Sequence, residues 1–133
     1  MLQKSKKCTS PRSYIVLFRC PESHIKTGQK EFFLDEGVYG YLGSCGTSCD
    51  KRISRHMIRD FRKRHWHVDY LPCIPFASLI IEIDERKMSR YLSDIPSIPG
   101  FGNSDDRGHP RLFMVADIPC FLNRVISFSS QVE

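Results

Sequence analysis

β-branched and aromatic residues dominate the stretch Ser13-Tyr-Ile-Val-Leu-Phe-Arg19, which predicts a strand. After a Pro-Glu-Ser turn, Ile25 to Leu34 reads as a hairpin around Thr27-Gly28. Gly37 to Gly43 reads as another strand, with glycines that let a backbone or ligand come close. The small polar run Gly43 to Asp50 is a loop, and Ser48 or Asp50 suits the cap of the next helix. From Lys51 to Arg64, Ile53, Met57, Ile58 and Phe61 recur at helical spacing. That helix is expected to bury one apolar stripe and turn a positive face outward.

Trp66 to Leu71 suits a short strand or a turn packed on the helix. Phe76 to Ile83 is apolar enough to predict a central strand. Asp84 then caps a short helix from Glu85 to Leu92, and Pro96 to Pro110 is turn chemistry throughout. Arg111 to Ala116 predicts a last strand, and Asp117 to Phe128 a short helix or an edge strand. The order β-β-β-α-β-α-β argues an α+β fold, a small central and mostly antiparallel sheet flanked by helices. Residues 1–11 are basic and polar and read as a flexible arm, leaving 12–133 as one domain.

The 133 residues and 41% hydrophobic share suit one ordinary core, and 26% charged residues do not indicate disorder. The net charge of +5 points to anionic partners, and its distribution sharpens that. Lys51, Arg52, Arg55, Arg59, Arg62, Lys63 and Arg64 fall in one segment with His56, His65 and His67, interrupted by Asp60 alone among acids. The start of the sequence has no apolar h-region and no run reaches membrane-spanning length, so a cytoplasmic protein without a membrane is expected. In that setting the six cysteines are expected to be free thiols. Cys45 and Cys49 are not spaced as CxxC, so no structural zinc site is expected.

Several segments resemble the GIY-YIG nuclease superfamily. Arg12-Ser13-Tyr14 is similar to its first motif, with Arg12 where the family carries glycine, and Tyr41-Leu42-Gly43 is similar to the second. Arg52 and His56 match the arginine and the following aromatic or imidazole position on the basic helix. Glu85 stands where the family carries its metal-binding glutamate. The likeness is nearest to an uncharacterised prokaryotic branch found beside or fused to endonuclease III. Tyr41 to Cys45, Arg52 to His56, His65 to Leu71 and Gly100 to Phe113 follow its motifs in order, over roughly Ser13 to Phe113. Asp106 and Gly108 replace cysteines usual in that branch, and Arg111 replaces a frequent histidine.

This resemblance implies an endonuclease that hydrolyses phosphodiesters in DNA, or less readily RNA, with Mg²⁺ or Mn²⁺ as cofactor. It also implies a DNA-repair protein as a partner. Glu85 suits a hard cation that keeps its waters. Arg52 suits bidentate phosphate binding, and Tyr14 or Tyr41 would orient or deprotonate water if nearby positive charge lowered its pKa. His56, one turn after Arg52, suits phosphate binding or proton relay. Gly43, Ser44, Lys51, Arg55, Arg59, Arg62, Lys63 and Arg64 would contact the backbone phosphates, and Trp66 would stack on a base.

Plainer readings stand beside these. The tyrosines suit half-buried strand positions, and the charge run a solvated face. Glu85 suits a helix N-terminus, and Asp105, Asp106 and His109 suit turn backbone. His65 and His67 invite a metal reading with Asp69 or Cys73, yet packing is the commoner fate of such a pair. The alternative function is a non-catalytic nucleic-acid-binding module on the same fold.

Overall fold

The computed structural model describes residues 12–61, 64, 66–102 and 109–131. In chain order these form β1 (Ser13–Cys20), β2 (Ser23–Thr27), β3 (Lys30–Leu34), β4 (Gly37–Ser44) and α1 (Cys49–Ile58). A 3-10 turn (His67–Tyr70), β5 (Ile74–Ile81), α2 (Glu85–Tyr91), β6 (Leu112–Val115) and α3 (Ile118–Gln131) follow. The fold is α+β. Four antiparallel strands make the main sheet, in the order β5-β1-β4-β6, and β2 and β3 pair as a separate two-stranded sheet.

β1 lies at the centre because both its faces are apolar. Tyr14, Val16, Phe18 and Cys20 enter one core cluster, whereas Ile15 and Leu17 enter another on the opposite side. The first cluster also takes Cys49 of α1 and Ile25, Phe32 and Leu34 of the hairpin. The second takes Met88 of α2 and Phe121 and Val125 of α3. Gly40 admits α3, since a Cβ there would lie 3.2 Å from the Phe121 ring.

The apolar segment expected to be a central strand is instead the edge strand β5, which among the described residues pairs with β1 alone. Pro75 has no N–H for a second neighbour, and Ile74, Phe76 and Ile80 stay exposed. On the far side, Pro96–Ile98 runs along β6, with Ile98 N donating to Leu112 O and Met114 N to Pro96 O. The ambiguous segment after Asp117 is the helix α3, and the Asp117 carboxylate accepts from Cys120 N at 2.9 Å.

α1 is shorter than its periodicity predicts. Ser48 caps its start by accepting from Lys51 N at 3.2 Å. It stops at Ile58 rather than Arg64, because Arg59 turns left-handed at φ 58°. The Arg59 guanidinium then gathers the Leu71 carbonyl at 2.6 Å and the Val68 carbonyl at 3.4 Å. The buried stripe also differs. Ile58 is exposed, and Cys49 and His56 are the buried residues of the helix.

The expectation of free thiols fails at four cysteines, because Cys20 bonds to Cys73 and Cys45 to Cys49. The first bond ties β1 to the segment before β5. The second closes the loop between β4 and α1. Cys120 is free and exposed, and Cys8 lies outside the described residues. Among the described residues no helix is long and apolar enough to cross a membrane.

Candidate functional site

The register of β1 and β4 sets Tyr14 opposite Gly43 and Tyr41 opposite Val16, so both tyrosines leave the same face as diagonal neighbours. Their ring centroids are 6.4 Å apart. The Tyr14 ring lies across Gly43, where a Cβ would fall 2.4 Å from its Cζ and its hydroxyl oxygen. The space expected to admit a phosphate at Gly43 is therefore filled by Tyr14. α1 crosses above and lowers His56 onto the pair. Its Nε2 is 2.7 Å from the Tyr14 hydroxyl, and its ring meets Tyr41 edge-on at 5.5 Å.

Burial sets the protonation of this trio. It raises the Tyr14 pKa, with Tyr41 adding to the effect and Arg52 opposing it. It raises that of Tyr41 as well, with Glu85 adding and Arg111 opposing. The positive charge that a tyrosine base requires is present, but desolvation outweighs it. His56 is pushed down from 6.5 to about 4, again by burial, against the pull of Asp69. At neutral pH all three rings are uncharged. His56 Nδ1 is buried and has no hydrogen-bond partner among the described residues.

Arg52 lies one turn before His56 on α1. Its Nη1 donates to Ser44 O at 2.8 Å, and its guanidinium covers Gly46. A Cβ at Gly46 would come within 2.7 Å of Nη2, and the positive φ of 59° also favours glycine there. Ser44 accepts from Gly46 N at 3.3 Å through its hydroxyl, so both its oxygens serve the loop. Trp66 is 42% exposed, with the Arg52 guanidinium 5.9 Å from its ring centroid and the His56 ring 6.1 Å away.

The positive face is less open than the sequence implies. Arg55 is bound to the buried Asp69 at 2.6 Å, and Arg59 is spent on carbonyls of the 3-10 segment. Arg64 is exposed, although its Nε donates to Asp69 O at 3.2 Å. Lys51 is exposed and Arg52 half-buried. Arg62, Lys63 and His65 lie outside the described residues.

Glu85 opens α2, and its carboxylate accepts from the Arg111 Nε. Arg111 is buried, and the Glu85 charge reaches both tyrosines. Among the described residues no three His, Cys, Asp or Glu side chains gather as a metal cluster. The reading of His67 with Asp69 or Cys73 as ligands is not met. His67 Nδ1 accepts from Gly102 N at 2.8 Å, Asp69 holds Arg55 and Trp66 N, and Cys73 is in a disulfide. The bond from Gly102 brings two motifs distant in sequence beside Tyr41, which a Cβ on Gly102 would approach to 3.1 Å. His109 gives its carbonyl to Arg111 Nη1 at 2.6 Å, while Asp105 and Asp106 lie outside the described residues.

Tyr14, Tyr41 and His56 pack together with Arg52 on the same helix as His56, whereas Glu85 opens α2, whose Met88 belongs to the cluster on the other face, and it reaches the tyrosines electrostatically rather than by contact. Sequence reasoning gave no role to Arg111, although an arginine opening an apolar strand was a signal. It weighed Asp69 only as a metal ligand, and this buried acid is the partner of Arg55.

No curated protein and no solved structure matches this chain. A family model matches it from residue 13 to residue 133, and the chain belongs to that family, described as Domain of unknown function DUF123.

Proposed function

We propose that this protein is a Mg²⁺- or Mn²⁺-dependent endonuclease of the GIY-YIG type that cleaves DNA, with RNA as the lesser substrate. The observation that carries the reading is the hydrogen bond between the Tyr14 hydroxyl and His56 Nε2, with Arg52 and Glu85 within electrostatic reach of Tyr14. A protonated phenol joined to a neutral imidazole can pass a proton without starting as tyrosinate. A water held by the Tyr14 oxygen gives it a proton while the phenolic proton moves to Nε2. Arg52 swings from the Ser44 carbonyl to hold two phosphate oxygens in a planar fork. The negative charge so delivered favours the imidazolium that forms. Tyr41 packs against the imidazole and helps to exclude bulk water.

Glu85 fits the metal this reading requires. One carboxylate oxygen is engaged by Arg111 and the side chain is 24% exposed, which suits a cation that takes one protein carboxylate and keeps its waters. When bound, the metal would stabilise charge on the phosphoryl oxygens. Lys51, Arg64 and Trp66 supply outward contacts to backbone and base. The reading keeps the protein in the cytoplasm on the strength of its nucleic-acid partner alone, since the paired cysteines no longer argue for reducing surroundings. A DNA-repair protein as partner follows from the same resemblance.

The test is nicking of supercoiled DNA with Mg²⁺ and Mn²⁺. Glu85→Ala is expected to abolish cleavage while affinity for DNA persists, and equal cleavage by that variant would refute the assignment. The rival, a non-catalytic binding module, is favoured by the guanidinium already neutralising Glu85. Salt-sensitive binding with no cleavage under either metal would establish it.

A further inference from the structure

We infer that Arg111 is a positioning residue that aims the Glu85 carboxylate and weakens its hold on a divalent cation. The inference rests on the metal-dependent reading above. Arg111 is 4% exposed, an unusual place for a permanent charge. Its Nε donates to Glu85 Oε2, its Nη1 donates to His109 O at 2.6 Å, and its own carbonyl accepts from Leu42 N at 2.8 Å. The Arg111 backbone is therefore held by β4 and its guanidinium by the His109 carbonyl, apart from the bond to the carboxylate.

A second tie supports the same junction. Ser89, on the helix that Glu85 opens, donates from Oγ to Pro110 O at 2.7 Å. Two bonds thus join α2 to the two residues ahead of β6. A glutamate in the first turn of a helix ordinarily samples several rotamers. Here one oxygen is taken by Arg111, so the carboxylate has a single direction for the other. The buried guanidinium also repels any second cation that binds beside it. The arrangement gives up affinity for metal in exchange for orientation.

Arg111→Gln, Arg111→Lys and Glu85→Gln are compared with the wild type. Mn²⁺ affinity is read by electron paramagnetic resonance, cleavage at saturating Mn²⁺ by plasmid nicking, and folding by circular dichroism. Arg111→Gln is expected to bind Mn²⁺ at least about fivefold more tightly, because the like charge is gone. It is expected to cleave about tenfold or more slowly, because the carboxylate is no longer aimed. Arg111→Lys keeps the charge and loses the fork, so its affinity stays near wild type while cleavage falls. If Arg111→Gln does not fold, this split in Arg111→Lys decides. Mn²⁺ binding that disappears in Glu85→Gln but is unchanged or weaker in folded Arg111→Gln overturns the inference and leaves the metal reading standing. So does undiminished cleavage by Arg111→Lys. Mn²⁺ binding that is absent from the wild type, or indifferent to Glu85→Gln, overturns both.

Discussion

The Tyr14 hydroxyl lies 2.7 Å from His56 Nε2, joining the central strand to the helix that crosses it. Both partners are buried, and burial keeps the phenol protonated and the imidazole neutral. Removing the hydroxyl separates chemistry from folding. Tyr14→Phe is expected to lower cleavage by about 10²–10⁴-fold. The change leaves His56 Nε2 buried without its partner, so it should cost about 1–3 kcal/mol of stability. Plasmid nicking beside a urea melt measures both, and a variant with wild-type cleavage would remove Tyr14 from the mechanism.

His56 also makes stability depend on pH. Its folded pKa of about 4 lies below the unfolded value of 6.5, so the unfolded chain binds more protons between those limits. The contribution is fully present above about pH 6.5 and is lost as pH falls towards 4, to an extent of about 3 kcal/mol. His67, also pushed down by burial, acts in the same direction. Urea midpoints from pH 7 to pH 4 should fall, and His56→Gln should flatten the slope. An unchanged slope in that variant would contradict the assignment.

Gly43 is needed to seat Tyr14. In Gly43→Ala the Cβ would lie 2.4 Å from the ring and its hydroxyl, and the pairing of Gly43 with Tyr14 itself on β1 leaves the backbone little room to yield. The expected result is a loss of about 1–3 kcal/mol with cleavage reduced alongside. A thermal melt and a nicking assay check it, and wild-type values in both would show that the ring moves without penalty.

The basic residues divide into two kinds. Arg59 satisfies the Val68 and Leu71 carbonyls from a half-buried position, so Arg59→Ala should destabilise the fold by about 1–3 kcal/mol. Lys51 is outward, so Lys51→Ala should leave the melt unchanged and reduce the salt slope of DNA binding by about 1. A salt titration of affinity beside a denaturant curve distinguishes them. The assignment fails if Arg59→Ala alters only binding.

The Cys20–Cys73 bond spans 53 residues and joins β1 to the start of β5. Loop-closure entropy puts its contribution at about 4 kcal/mol. Cys73→Ser should lower the urea midpoint by a corresponding amount, and reduction of the wild type, which also opens Cys45–Cys49, should lower it at least as far. An unchanged midpoint under reducing conditions would show that the bond adds nothing.

The segments with strong local patterning were legible in advance. The run from Ser13, the hairpin around Gly28 and the Asp84-capped helix all occur close to where periodicity and turn chemistry put them. Motif order also named Tyr14, Tyr41 and His56, which touch one another, with Arg52 one turn before His56, while Glu85 makes its contact with Arg111. What failed depended on contacts between distant residues. Nothing local to Arg59 reveals that carbonyls beyond Trp66 will draw it into the left-handed region and end α1. Nothing in the apolar pattern of β5 tells one neighbour from two.

Residue pattern alone determined the α+β class, the basic segment and the identity of the side chains that could do chemistry. Tertiary structure decided which cysteines pair, which arginines point inward and that Glu85 lies against Arg111. It also reversed the expected tyrosine electrostatics, because desolvation depends on what surrounds a group in space and outweighs the charges beside it.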